Sequence, residues 1–175
     1  GTATTTGVAN TLIGGLAGDA LTDADSNVAV GQNALSADTL GSLTTAIGQG
    51  ALANQNFTTA TNTHNTAVGY DAGSAVSTGI YNTLIGSQSG DALTDGNNNV
   101  AVGPNSLGSE TRADRNVAVG SYALAAQNLT TDTDSYNTAV GALAGTAITT
   151  GTENTLMGGI AGDALTDADG NTAVG

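Results

Sequence analysis

One short motif recurs along the whole chain and limits what the chain can fold into. It reads Asn, Thr or Val, Ala or Leu, an aliphatic residue and Gly, with Thr44 as the one replacement of the Asn. The ten copies close on Gly14, Gly31, Gly48, Gly69, Gly86, Gly103, Gly120, Gly141, Gly158 and Gly175. The positions of these closing glycines differ by 17, 17, 21, 17, 17, 17, 21, 17 and 17, so any four consecutive intervals sum to 72. Such a period indicates a repeat array, in which each repeat buries its apolar face by stacking on the next.

Each copy of the motif is predicted to form a strand of four or five residues. Its β-branched residues stand two apart, so Val28 and Val30 point to one face and Ala29 to the other. The Gly ends the strand where the backbone turns or approaches a neighbour closely. Stacked in parallel at about 4.7–4.9 Å, ten strands span roughly 45 Å. The Asn residues then form a ladder whose amides pair up and down the stack. The predicted fold is an all-β parallel solenoid, or β-roll, of about ten coils of 17–21 residues.

The repeat predicts one continuous domain over residues 1–175. It divides into four-coil units at 10–81 and 82–153 and a partial unit at 154–175. Residue 1 falls inside a unit, and neither end carries the polar capping repeat that keeps solenoids soluble. We therefore expect the chain to be part of a longer array that continues end to end.

Charge and composition exclude several classes of function. The chain has 15 acidic and 2 basic residues, and this net charge of −13 repels phosphate backbones, so we expect no nucleic-acid partner. It has no run of about 18 apolar residues, so we expect no membrane insertion. The one histidine, His64, has its nearest acidic residue seven positions away at Asp71, which does not suggest a catalytic triad. We expect no enzyme.

The apolar character of both strand faces predicts a partner. A two-sided coil as short as this one has a single interior, so the second apolar face requires another cover. We expect a homo-oligomer, in particular a trimer, whose axis follows the solenoid. The alternative is a wider single-chain β-helix whose Thr- and Ala-rich outer face tolerates water.

The repeats resemble those of a known class of fibrous proteins. Residues 65–73 (NTAVGYDAG) and 116–124 (NVAVGSYAL) resemble the Asn-Thr-Ala-Val-Gly repeats of phage and algal-virus tail-fibre-like proteins. They are also similar to the head domain of trimeric autotransporter adhesins, whose coils are usually a few residues shorter and lack a regular 21-residue coil. The resemblance covers the whole chain. It implies a left-handed trimeric β-roll on a virion, on a cell surface or outside the cell, without catalytic residues.

Acidic loops recur once in each four-coil unit and suggest calcium. The candidate ligands, which stand two apart in each loop, are Asp23, Asp25, Asp95, Asn97, Asp167 and Asp169. Alternating oxygens of this kind begin calcium-binding loops, although no Glu completes an EF-hand. The other interpretation is an Asx turn, in which these side chains cap loop backbone groups.

The function expected from these observations is structural: a fibre or filament segment that provides length, stiffness and presentation. Such a segment is the shaft of a viral tail fibre, a cell-surface adhesin or an extracellular filament. The alternatives are a module that binds ice or a cell-surface glycan or receptor, and a calcium-loaded extracellular repeat protein. The paired threonines do not share one column, which argues against a regular ice-binding array.

Overall fold

The computed structural model describes residues 3–175 as a parallel β-solenoid of about ten coils, and among these residues there is no helix. The strands are β1 (Thr11–Ile13), β2 (Val28–Val30), β3 (Gly41–Ser42), β4 (Thr45–Ile47), β5 (Thr61–Asn62), β6 (Thr66–Val68), β7 (Thr83–Ile85), β8 (Val100–Val102), β9 (Val117–Val119), β10 (Thr138–Val140), β11 (Thr155–Met157) and β12 (Thr172–Val174). Ten of them form one sheet in the order β1-β2-β4-β6-β7-β8-β9-β10-β11-β12, and β3 pairs with β5.

Neighbouring strands of the large sheet are successive copies of the motif. All pairs are parallel, and each motif position lies beside the same position of the next coil, as in Leu12 beside Ala29 and Leu84 beside Ala101. The predicted all-β solenoid and its stacking register are therefore confirmed.

The closing glycines form a column that admits no other residue. Their φ angles lie between +126° and +152°, a region in which L side chains are strained. A Cβ on Gly86 would lie 2.7 Å from the carbonyl oxygen of Gly103 in the next coil, and one on Gly31 would lie 2.5 Å from that of Gly48. The coils thus stack at a distance that only glycine permits.

The inner face of the large sheet is its Ala and Leu column. Ala29, Ala67 and Leu84 are fully buried in the core cluster. The aliphatic column points to the opposite, outer side, where Val68 and Val102 are half-buried in the single chain. The reason is the size of the coil: its narrow interior has room for Ala and an occasional Leu at this position, while Val and Ile face outward.

The 72-residue period is also present in how the core packs. Leu84 fills the space beside two glycines, because Cβ atoms on Gly73 and Gly90 would lie 2.6 and 2.8 Å from its methyl carbons. In the next unit Leu156 packs in the same way against Gly145 and Gly162. The motif position of Leu84 is Ala in the other three coils of each unit, and Leu follows the closing glycine by four residues in two of them. Large and small core residues therefore alternate between coils so that the volume stays filled.

The predicted Asn ladder exists, but its hydrogen bonds run mostly to the backbone. The side-chain oxygen of Asn82 accepts from the N–H of Asn99 at 2.9 Å, and its amide nitrogen donates to the carbonyl of Gly96 at 2.8 Å. Amide-to-amide bonds, the form we expected, occur at only a few steps, as from Asn116 to Asn99 at 3.1 Å. The backbone groups take precedence because each coil turn leaves a buried N–H and C=O that need partners.

Candidate functional site

The outer face of the large sheet is a partly apolar surface that runs along the whole stack of the described chain. We define it by its two columns, whose members stand two apart in each strand and so share a side. The first is Thr11, Val28, Thr45, Thr66, Thr83, Val100, Val117, Thr138, Thr155 and Thr172; the second is Ile13, Val30, Ile47, Val68, Ile85, Val102, Val119, Val140, Met157 and Val174. Ile47 and Ile85, in the middle of the stack, are each 38% exposed. An apolar strip of this length is typical of an interaction surface.

Aromatic side chains lie in the column just before the ladder Asn residues. The rings of His64 and Tyr81 stack with centroids 5.1 Å apart and planes 11° from parallel. Arg115 lies over the ring of Tyr136, 5.7 Å from its centroid. Both tyrosines are about half exposed, at 50% and 51%. The His64 ring therefore stacks on that of Tyr81.

A buried carboxylate adjoins the first 21-residue coil. Asp38 is fully buried, and its Oδ1 accepts from the N–H groups of Gly41 and Phe57, each at 3.0 Å. Its Oδ2 accepts from the side-chain amide of Gln55 at 2.6 Å. The same amide donates to the hydroxyl of Thr44 at 3.0 Å, where the Asn ladder is interrupted. The carboxylate therefore bonds to the backbone of its own coil and to that of the longer coil.

The second 21-residue coil repeats this arrangement with a different acid. Glu110, also fully buried, accepts at Oε1 from the N–H groups of Thr111, Arg112 and Ala113 at 2.8–2.9 Å. Its Oε2 accepts from the side-chain amide of Gln127 at 3.0 Å. Within residues 3–175, neither Asp38 nor Glu110 pairs with a basic side chain. Both carboxylates are thus surrounded by hydrogen-bond donors alone, which indicates a structural role for Asp38 and Glu110.

Our reading of the sequence missed this pair of networks, although a signal was present. The position seven residues after each closing glycine reads Leu21, Asp38, Gln55, Val76, Leu93, Glu110, Gln127, Ile148 and Leu165. In this buried apolar column, an acid followed by an amide replaces the apolar residues twice, once beside each longer coil. Comparison of this column across coils identifies the buried polar pairs.

The loop inserted in the second longer coil carries ion pairs that the first loop lacks. Arg112 pairs with Asp95 at 3.0 Å and with Asp132 at 2.9 Å, and Arg115 pairs with Asp134. The hydrogen bond that Arg112 donates to Asp132, and then the charges of Asp132 and Asp95, raise the pKa of the Arg112 guanidinium. At the equivalent positions one unit earlier stand Leu40 and Leu43. The two insertions therefore present different chemistry to the solvent.

Three of the predicted calcium ligands, Asp25, Asn97 and Asp169, link neighbouring coils. Each accepts a backbone N–H from the preceding coil, that of Val8 at 2.7 Å, Ile80 at 2.9 Å and Thr152 at 2.7 Å. These side chains do cap backbone groups, as the Asx interpretation required, but the groups belong to the adjacent coil.

The other three, Asp23, Asp95 and Asp167, bond to threonine hydroxyls. Asp95 accepts from Thr94 at 2.7 Å and Asp167 from Thr166 at 3.0 Å, while Asp23 accepts from Thr6. In the described part of the chain, no three His, Cys, Asp or Glu side chains come together in a way that could hold a metal ion. Calcium binding at these loops stays a prediction.

The chain matches no protein-family model, no curated protein and no solved structure. Within residues 3–175 there is no helix long and apolar enough to cross a membrane.

Proposed function

We propose that this chain is a structural segment of a fibre or filament, such as the shaft of a viral tail fibre, a surface adhesin or an extracellular filament. Its hydrogen bonding supports a load-bearing role. Backbone bonds of 2.7–3.0 Å join each coil to the next, as from Gly31 to Ile13 and from Gly48 to Val30, and run along the stacking axis. A stack joined in this way resists extension and bending, which is the work of a shaft.

The observation that carries the proposal is the uncovered outer face. Twenty side chains form it, seven of them threonine and the rest apolar, and the ends of the second column are well exposed, with Ile13 at 60% and Val174 at 78%. Apolar surface of this extent is stabilised by removal from water. We propose that identical chains cover it for one another, as a homotrimer whose axis follows the solenoid. Three sheets would then enclose a second core, and the particle would be long and narrow.

Sedimentation velocity over a range of protein concentrations tests the assembly. We expect a stable elongated oligomer for the wild-type chain. Val68→Asp and Ile85→Asp place a charge on the outer face and should shift the population toward monomer. Ser26→Asp, a change at an exposed residue outside the two columns of the outer face, is the control and should leave the oligomer intact. A wild-type chain that stays a well-folded monomer at every concentration would refute the proposal.

Particle shape provides an independent check. Ten strands stacked at about 4.7–4.9 Å predict a rod segment roughly 45 Å long for one chain. Electron micrographs of the native assembly should show a thin shaft, with a coil repeat near that strand spacing and a four-coil repeat of about 19 Å. Globular particles in the native material would contradict the proposed shaft.

A further inference from the structure

A groove of about 360 Å³, open to solvent, crosses several consecutive coils. Two alanines form part of it, together with Asp91, Asn105, Gly108, Ser109, Tyr122 and Thr146. Its volume lies within the range of about 300–1,000 Å³ that small-molecule sites occupy. None of these residues belongs to the outer face, so the groove is separate from the proposed oligomer contact.

Five of the eight residues that line this groove differ from their equivalents one unit earlier, and Tyr122 and Gly108 are two of them. Tyr122 stands where the first unit has Gly50, and Gly108 stands where it has Ser36. The tyrosine forms a wall and is 47% exposed. Gly108 adds no side chain to the groove, and a Cβ there would lie 3.2 Å from the carbonyl oxygen of Asn105 and 3.6 Å from the carboxylate of Asp91. The groove is therefore a local departure from an otherwise repeated surface.

The polar side chains of the groove are available to a ligand. Those of Asn105, Ser109 and Thr146 form no hydrogen bond with any other described residue. In contrast, the hydroxyls of Thr94 and Thr111, in a neighbouring column, donate to the next coil at 3.0 Å. An amide and two hydroxyls without protein partners thus lie around one aromatic ring.

The carboxylate of Asp91 is partly withdrawn from water. Burial raises its pKa above the ordinary value, and the negative charge of Asp71 adds to this effect, while its own backbone N–H acts in the opposite direction. A carboxylate in this condition gains more from hydroxyl donors than one in bulk water, since hydrogen bonds strengthen as the local dielectric falls.

We infer that this groove binds a neutral saccharide of one or two rings. The ring of Tyr122 packs against the apolar C–H face of a sugar, and Asp91, Asn105 and Ser109 bond to its hydroxyls. A sugar has this combination of one apolar face and a rim of hydroxyls, whereas a lipid would not match so polar a lining. The net charge of −13 disfavours anionic sugars. The inference does not depend on the fibre proposal.

Titration of the ¹⁵N-labelled chain with lactose, maltose and cellobiose, followed by NMR, tests the site. We expect shifts confined to the groove, with at least one sugar binding in the millimolar range. Tyr122→Ala should weaken that binding by about tenfold or more, since it removes the aromatic contact. Tyr136→Ala, which removes another half-exposed tyrosine outside the groove, should leave it unchanged.

Three outcomes would overturn the inference. The first is no shift with any of the three sugars, and the second is equal loss of binding in the Tyr122 and Tyr136 variants. The third is binding of choline in the groove without binding of any neutral sugar, which would show a cation site built from Asp91 and Tyr122. Sedimentation of the same samples keeps this result distinct from the assembly, because Tyr122→Ala should not change the oligomeric state.

Discussion

The packing of Leu84 against Gly90, which recurs with the 72-residue period, can be tested by measuring the free energy of unfolding of variants. A Cβ at Gly90 would lie 2.8 Å from a methyl carbon of Leu84 and 3.0 Å from one of Leu93, on a backbone with φ of +56°. Gly90→Ala should therefore cost about 1–2 kcal/mol for the left-handed backbone and about 1–3 kcal/mol for overpacking. Leu84→Ala removes a fully buried side chain and should cost about 2–5 kcal/mol.

The double variant should cost less than the sum of the two single variants. The methyl group added at position 90 then occupies space that Leu84 vacated, so the overpacking disappears and the cavity shrinks. We expect a favourable coupling of about 1–3 kcal/mol. Gly170→Ala is the control for the backbone effect, because that glycine has φ of +68° with no atom within 4 Å of its Cβ position. It should cost about 1–2 kcal/mol.

Urea denaturation followed by circular dichroism gives the free energy of unfolding of each variant. This comparison holds when the free energy falls with urea concentration at the same slope in all of them. Unequal slopes would indicate that the array unfolds in parts, and the Leu84 and Gly90 variants should then be compared by the protection of core amides from hydrogen exchange. If the cost of the double variant equals the sum of the two single costs to within about 0.5 kcal/mol, the assignment of Leu84 to the space beside Gly90 is refuted.

Three further predictions concern single positions. Gly86→Ala should abolish the fold or lower the melting temperature sharply, because its Cβ meets the next coil at 2.7 Å, whereas Gly15→Ala, in open space, should melt as the wild type does. Glu110→Leu should cost about 3 kcal/mol or more, since it leaves buried N–H groups without an acceptor, and Glu110→Gln should cost less by the same denaturation assay. Asp91→Asn should raise the melting temperature near neutral pH. Because the folded pKa of Asp91 is raised, its charged form is the destabilised one, so the gain should vanish as pH falls below the ordinary value of 3.8; a gain that persists there would contradict this reasoning.

The stacking of the coils could be predicted because it depends on properties of single columns. A β-branched pair two apart gives a strand, and a closing glycine at fixed intervals gives parallel neighbours in register, as Thr11 beside Val28 shows. The apolar nature of both strand faces could be predicted for the same reason. Which of the two faces lies inside could not be predicted, because that depends on the width of the coil. A coil this narrow accommodates Ala29 but leaves Val28 and Val30 on the outside.

The groove could not be derived from the motif because it is an exception to it, and the buried acids stand out only when their column is compared across coils. Tyr122 and Gly108 line the groove and differ from the residues one unit earlier, and nothing in a single column signals that these two positions lie at the same groove. The ligands proposed for calcium show the converse problem. Asp25 stands two residues from Asp23 in sequence, yet its partner is the backbone of Val8 in the preceding coil. Spacing along the chain is a poor guide where most contacts are between coils.

The buried acids also explain how the array tolerates a longer coil at a regular place. Four extra residues add backbone groups that no motif position is available to satisfy, and an unpaired buried N–H costs about 1–3 kcal/mol. Leu at the position of Asp38 would fill the volume, as Leu21 does one coil earlier, but it would leave the N–H groups of Gly41 and Phe57 without an acceptor. A carboxylate, bonded in turn to Gln55, accepts from the backbone of both its own coil and the longer coil. A longer coil is therefore favourable where the acid stands and unfavourable where the same position is apolar. This difference keeps one longer coil to every three shorter coils along the stack.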